Sequence, residues 1–432
     1  MNQTLEGLFD YLEGGVSPFH AALLAEKELA RAGYEELGLA ESWLLERGGK
    51  YYVRAYDSSL FAFRVNPAFG RLQGFRIAAA HTDWPCMRIK TAPDMSQGVY
   101  KKLNVEIYGS PILNTWLDRP LSVAGRVTLR GGRCFSPETR LIDFGRPLCV
   151  IPNLAIHMNR DVNKGVELNR QTDMTPLVGR ILEEELNGAD GFVEALAGRA
   201  GVRPEELLFF ELSLYNCDKP ELFGMNQEFL SAPRLDNLAS VKACLDGLLR
   251  SGGRMDGVDM AVFFDHEEIG NRTKQGAASA LLAVVMEKIC RSFGYSDEDC
   301  LNSRFRSFLL SVDAAHGVHP NHPGKSDVTN LVYPGNGVVL KTECCQRYAT
   351  DGVAVGAVRS ICEKRDIPCQ IFANRSDAGG GSTLGSAASS FALMNTADVG
   401  IPLLAMHSAR ETMGAADQEI LTRLLEAYWQ EG

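Results

Sequence analysis

No apolar run in this chain approaches the roughly 20 residues needed to cross a bilayer. Stretches such as AVFF at 261–264 and LLAVVM at 281–286 are far shorter, so no membrane partner is expected. Basic runs are equally scarce. Lys and Arg never occur more than two in a row, and the formal charge of −10 argues against a nucleic-acid partner. No C-x-x-C pair occurs among the eleven cysteines, which are odd in number and scattered, so neither a disulfide framework nor a thiolate zinc site is indicated. They read as reduced, mostly core thiols. The opening MNQTLEGLFDYLEGG lacks the basic start and apolar core of a secretory signal, and a cytoplasmic location is expected. Asn2-Gln-Thr4 and Asn271-Arg-Thr273 match the glycosylation pattern, but only by coincidence in a chain without such a signal. Gly335-Asn-Gly337 and Gly379 to Gly381 lack both the GxGxxG context and a Gly-Lys-Ser/Thr ending, which excludes the usual phosphate loops.

What the chain does have is 432 residues, nearly half of them hydrophobic, enough for a large core and two domains. Helical spacing predicts two leading helices over 3–12 and 19–36. Tyr51 to Arg54, Leu60 to Phe63 and Phe75 to Ala80 read as strands. Between Asp83 and Arg234 the texture changes to short β-prone segments (Val99 to Tyr108, Leu121 to Leu129, Cys149 to Ile151). A polar loop, Met158 to Thr175, an Ala- and Glu-rich helical region over about 177–198 and a strand at Leu207 to Leu214 follow. After 234 helices and strands alternate: helix 236–251, strand 258–264, helix 276–293, strand 307–312 and a final helix at 415–430. This predicts an α/β fold, a mixed-sheet core with helices on both faces formed by residues 1–87 and 233–432, interrupted by an inserted β-rich domain at 88–232.

Five segments each end an apolar stretch with a carboxylate or an imidazole: His81-Thr-Asp83, Arg234-Leu-Asp236-Asn, Asp265-His266-Glu267-Glu268, Ser311-Val-Asp313-Ala-Ala-His316 and Met406-His407-Ser408. Strand ends deliver side chains to fixed places, and two His with three carboxylates have the composition of a two-metal hydrolase site. His81, Asp236, Glu268, Asp313 and His407 supply the ligands; such mixed nitrogen and oxygen donors accept zinc, cobalt or manganese. Asp83, two residues past His81, is placed to reach the imidazole's other nitrogen and orient it. In an extended backbone the side chains of Glu267 and Glu268 diverge, so that one binds metal while the other, Glu267, acts as general base toward a metal-bound water. A glycosidase pair flanks its bond from opposite sides with carboxyls at least about 5 Å apart, which adjacent residues suit poorly. His319 and His322, flanking Pro320, read as a structured turn.

At these residues the sequence resembles the aspartyl aminopeptidase family of metallopeptidases. The resemblance includes Ser17-Pro-Phe-His20, Thr115-Trp116-Leu-Asp-Arg119, Ile151-Pro-Asn-Leu-Ala-Ile-His157, Gln275-Gly-Ala277, Ala315-His-Gly-Val-His-Pro-Asn321, Gln346-Arg-Tyr-Ala-Thr-Asp351, Gly381-Ser-Thr383 and Met406-His-Ser-Ala-Arg-Glu411. It implies a two-zinc exopeptidase that removes N-terminal residues from peptides, with Asp and Glu preferred. Asp236 would bridge the ions, His81 and Asp313 would complete one, and Glu268 and His407 the other. Lys341, His316 and Tyr348 would contact the substrate, a cation opposite a carboxylate being the electrostatically sensible choice. His157 would reach a neighbouring subunit's site to steady the developing oxyanion, and the inserted domain would form dimers that assemble into a tetrahedral dodecamer. Two stretches depart from the family's pattern: Asp377-Ala-Gly-Gly-Gly-Ser-Thr383 replaces Asp-x-Pro-Cys-Gly-Ser/Thr-Thr, and Asp265-His266-Glu-Glu replaces Asp-Asn-Glu-Glu. Readings outside this one are an aminopeptidase of different or broad specificity, and a self-assembling scaffold or cargo protein without catalysis. The scaffold would be marked by a lost ligand or base, and none of the six positions is lost.

Overall fold

The computed structural model describes residues 2–181 and 191–431. It divides into two compact units, the first formed by Met1–Trp84, Pro220–Met406 and Glu411–Gly432, the second by Pro85–Lys219 with His407–Arg410.

The first unit is built on a nine-stranded sheet. In chain order its strands are β1 (Glu35–Glu36), β2 (Lys50–Ala55), β3 (Ser59–Val65), β4 (Phe75–His81), β5 (Val258–Phe264), β6 (Phe308–Val312), β7 (Val338–Thr342), β8 (Cys369–Ala373) and β9 (Asn395–Gly400). Their spatial order is β1-β2-β3-β5-β4-β6-β9-β7-β8. The central four, β5, β4, β6 and β9, run parallel, while β3 and β7 pair antiparallel to β5 and β9. Every residue of β3 and β5 is buried, as expected for strands covered on both faces. Alternate residues Phe61, Phe63, Ile77, Ala79, Met260 and Val262 pack with Leu282, Val285, Met286 and Ile289 of helix Leu281–Ser292 and with Leu384, Ala388 and Ala392 of helix Leu384–Ala392. Helix Leu235–Arg250 lies against β4 and β5, and helix Asp417–Tyr428 lies against it in turn. The final helix is tied to the sheet by Tyr428, whose hydroxyl donates to Phe308 O at 2.6 Å, and by Trp429, whose Nε1 donates to Arg76 O at 2.9 Å. The α/β mixed sheet with helices on both faces is thus the architecture expected.

The first leading helix spans Gln3–Gly14, with Asn2 capping it through Leu5 N. The second, Pro18–Arg31, is capped by Ser17 and stops short of the expected residue 36. Gly33 takes φ +79°, and Glu35–Glu36 instead pairs with β2 as β1. A smaller five-stranded sheet of the first unit, ordered Glu221–Phe223, Phe229–Ala232, Glu411–Gly414, Pro402–Leu404 and Ala315–His316, carries Glu411 and His316.

The second unit holds a six-stranded antiparallel sheet in the order Ser136–Asp143, Leu121–Arg133, Leu207–Asn216, Cys86–Gln97, Tyr100–Tyr108 and Leu177–Arg180. Val123, Val127, Leu103, Val105, Leu212 and Leu214 are among its buried side chains. Part of the helix expected over 177–198 is a strand, because Tyr100 and Lys101 pair with Arg180 and Gly179. Residues 182–190 lie outside the described ones, and a helix resumes at Phe192–Ala200. Among the described residues no helix is long and apolar enough to cross a membrane.

Phe63 is fully buried, stacked on Trp43 at 5.9 Å and tilted against Tyr51 at 5.6 Å. Phe63→Ala is expected to cost about 3–5 kcal/mol, the loss of transfer free energy plus a cavity. A lower denaturant midpoint is the measurement that checks this.

Candidate metal centre

Parallel neighbours β5, β4 and β6 bring their carboxyl ends together, the place where open α/β sheets hold ligands. Phe264 pairs with His81, and Ser311 pairs with Ala79, so the residues following each strand emerge side by side. His81 is buried, with Nε2 3.4 Å from both Asp236 Oδ1 and Asp313 Oδ1. Donors about 2.0–2.1 Å from a tetrahedral ion lie ~3.4 Å from one another, so the spacing fits zinc with one imidazole and two carboxylates. The potential ligand atoms of His81, Asp236 and Asp313 all lie within 4.8 Å of one another, as do those of His81, Glu267 and Glu268. All donors are nitrogen or oxygen, which suits a divalent ion of borderline hardness.

Each of these candidate ligands is held from behind. Nδ1 of His81 lies 3.0 Å from Asp83 O and 3.4 Å from Asp83 Oδ1. The Asp83 carboxylate also accepts the backbone N–H groups of Glu267 and Glu268, each at 3.1 Å. That clamp accounts for a difference from the extended backbone expected there. His266 takes φ +65°, and Glu267–Ile269 forms a 3-10 turn, so one anchored carboxylate orients the imidazole and fixes both glutamates. Asp236 N donates to buried Glu411 Oε2 at 3.0 Å. Asn237, joined to Asp236 by a cis peptide, donates from Nδ2 to Val312 O at 2.9 Å. Arg234, in the left-handed region, donates from Nη2 to Leu12 O at 2.7 Å and lies over Trp84. Asp313 N donates to Val399 O at 2.8 Å, and a Cβ at Gly400 would fall 1.6 Å from Asp313 O, so only glycine permits this approach.

The electrostatics follow from crowding acids in a buried place. Burial, with Asp313, Asp83 and Asp236 adding to it, pushes the Glu267 carboxyl up to about 8 against the opposing effect of His81. Glu268 is raised by burial and by Asp236 and Glu267. Burial works against charge on His81, but hydrogen-bonding Asp236, Asp313 and Asp83 outweigh it and hold the imidazole well above its ordinary value. Such a cluster attracts a cation.

The other expected residues are placed as follows. His407 belongs to the second unit, where Nδ1 lies 3.1 Å from Ser110 O. His157, also in the second unit, is exposed beside the turn closed by Met158 N and Ala155 O. Lys341 is buried on β7, with Nζ donating to Ala314 O at 3.0 Å and Asp313 O at 3.3 Å and lying 3.7 Å from Asp313 Oδ2. Burial opposes its charge, yet Asp313 and Asp398 outweigh this and raise its pKa. The Tyr348 ring lies 5.2 Å from Lys341 Nζ and edge-on to Phe372, which the exposed His316 also meets. Sequence reasoning missed Glu411, Gly400 and Asp398. Buried Asp398 accepts Ala349 N at 2.6 Å and Thr383 Oγ1 at 2.5 Å, tying the segment after Tyr348 to the end of the glycine triplet. Glu411 closes a quoted motif and Asp398 interrupts an apolar strand, the signals by which both were findable.

Asp83→Asn removes one of the two acceptors that hold the Glu267 turn. A loss of about 10–100-fold in metal affinity or turnover is expected, measured by chelator competition and steady-state rates.

The family described as "Aminopeptidase I zinc metalloprotease (M18)" matches residues 11–429. The "Probable M18 family aminopeptidase 2" of Clostridium novyi (strain NT) is 43% identical over 411 residues, 95% of this chain and 94% of that protein. A chain solved in the Ape4 and Nbr1 complex is 32% identical with a TM-score of 0.93, covering 99% of this chain and 85% of the other. The fold is shared as well with the S. cerevisiae mApe1 dodecamer, at 24% identity and a TM-score of 0.83 over 98% of this chain and 95% of that one. A zinc-compatible donor set at the ends of parallel strands and a family match over nearly the whole length agree: this chain belongs to the M18 family of zinc aminopeptidases.

Proposed function

We propose that the enzyme removes acidic N-terminal residues from peptides at a two-ion centre, with Asp236 shared, His81 and Asp313 completing one ion, and Glu268 and His407 the other. The observation that carries the reading is the 3.4 Å spacing of His81 Nε2 from two carboxylates, beside Glu267 and Glu268 held in one clamped turn. Zinc bound there would polarise the scissile carbonyl and acidify the attacking water. Glu267 takes the water's proton on its carboxylate and passes it to the leaving amine, the task for which a group held beside the ligands but not needed as one is suited. Asp83 keeps Glu267 in reach and the His81 ring in its orientation.

For the substrate, the positive charge of Lys341 beneath Tyr348, together with exposed His316, supports selection of an N-terminal Asp or Glu side chain. Broad specificity is the second reading, favoured by the commitment of Lys341 Nζ to Asp313 O and Ala314 O. In the assembly, His157 donates to the oxyanion in a neighbouring subunit's site, and the second unit forms dimers within a tetrahedral dodecamer. Support comes from the exposed Leu154, Ile156 and Met158 around His157, an apolar surface of the kind that interfaces cover, and from the fold shared with a dodecameric chain. A cytoplasmic location remains the expectation for an enzyme of this composition.

Glu267→Gln is expected to abolish turnover with metal content intact, checked by elemental analysis alongside peptide hydrolysis; retained turnover would remove Glu267 as the base. On peptides beginning with Asp, Glu, Leu, Lys or Ala, Asp and Glu are expected to be cleaved fastest, and chelator to stop every reaction. Equal rates across the set would establish broad specificity instead.

A further inference from the structure

The turn after β7 carries two adjacent cysteines, Cys344 and Cys345, that the peptidase chemistry does not use. Six of the eleven cysteines are buried, but these two are exposed, as is Cys134. Their sulfurs lie 3.8 Å apart. The turn is closed by Gln346 N donating to Glu343 O at 3.2 Å, with Gln346 at φ +56°, and anchored by β7 on one side and buried Tyr348 on the other.

Two thiols at this separation have two possible products. A disulfide needs sulfurs about 2.05 Å apart and Cα atoms usually at least about 4.4 Å apart. Neighbours across a trans peptide are held near 3.8 Å, which disfavours that closure. A tetrahedral soft cation with metal–sulfur bonds of about 2.3 Å separates its thiolates by ~3.8 Å, the spacing found here. We propose that Cys344 and Cys345 form a chelating dithiol for a soft, thiophilic centre that takes two thiolates, such as a trivalent arsenical or a d10 cation. The site is chemically distinct from the nitrogen and oxygen set around His81, because thiolates select soft ions where carboxylates select harder ones. The hydrogen bond and charge of Cys344 raise the Cys345 thiol above its ordinary range, so the incoming centre must displace protons from the pair.

Phenylarsine oxide tests this without competing for carboxylates or imidazole. Two arsenic–sulfur bonds form, the arsenic–oxygen bond breaks, and the oxygen leaves as water with both thiol protons; arsenic stays trivalent, so no oxidant is required. The zinc-loaded enzyme is treated, and bound phenylarsenic per chain is counted by intact mass, before and after excess dithiothreitol. Cys344→Ser and Cys345→Ser are each expected to carry one group fewer than the parent, and dithiothreitol is expected to release the difference. Alanine replacements repeat the count should either serine variant alter the far-ultraviolet circular dichroism. Equal uptake by parent and variants, including none in any of them, overturns the proposal; it would place any label on another pair, such as Cys362 and Cys369.

Discussion

Negative charge concentrated in a buried place is the constraint around which the first unit is arranged. Asp83, Asp236, Glu267, Glu268 and Asp313 meet around a single imidazole where β4, β5 and β6 end. Taking ions out of water costs several kcal/mol each unless partners compensate. Here much of the compensation is built into backbone: Asp83 accepts two N–H groups, and Glu411 accepts the N–H of Asp236. The remaining charge suits a divalent cation, so the same crowding that burdens the fold makes this the candidate metal centre.

Geometry at this place depends on residues with no chemical part of their own. Gly400 lets β9 approach Asp313 so closely that any side chain would collide with its carbonyl. Asn237 ties the start of helix Leu235–Arg250 to the end of β6. Buried Lys341 donates to the successive carbonyls of Asp313 and Ala314 and counters the charge of Asp313. The supports of Asp313 therefore come from β9 and β7, later in the chain but the next two strands beyond β6 in the sheet.

Much of this was legible from residues alone. Apolar runs ending in His81 and Asp265 announced β4 and β5 because strands buried on both faces must be apolar throughout, and the polar residue that follows marks the sheet's edge. Candidate donors were legible too, since zinc accepts few ligand types. Glu267 and Glu268 were misread as extended because a carboxylate 184 residues away draws their N–H groups into a turn. The strand Leu177–Arg180 was hidden in an Ala- and Glu-rich region because its pairing with Tyr100 and Lys101 overrides local helix propensity.

By itself, the sequence determined the α/β alternation and offered the candidate donor residues, because periodicity and side-chain type are local properties. Tertiary structure alone decided the clamp of Asp83 on the glutamate turn, the burial of Lys341, the roles of Glu411 and Gly400, and the 3.8 Å spacing of the thiols at Cys344 and Cys345. Each depends on a distance between atoms, and for nearly all of them those atoms belong to segments brought together only by the order of strands in the sheet.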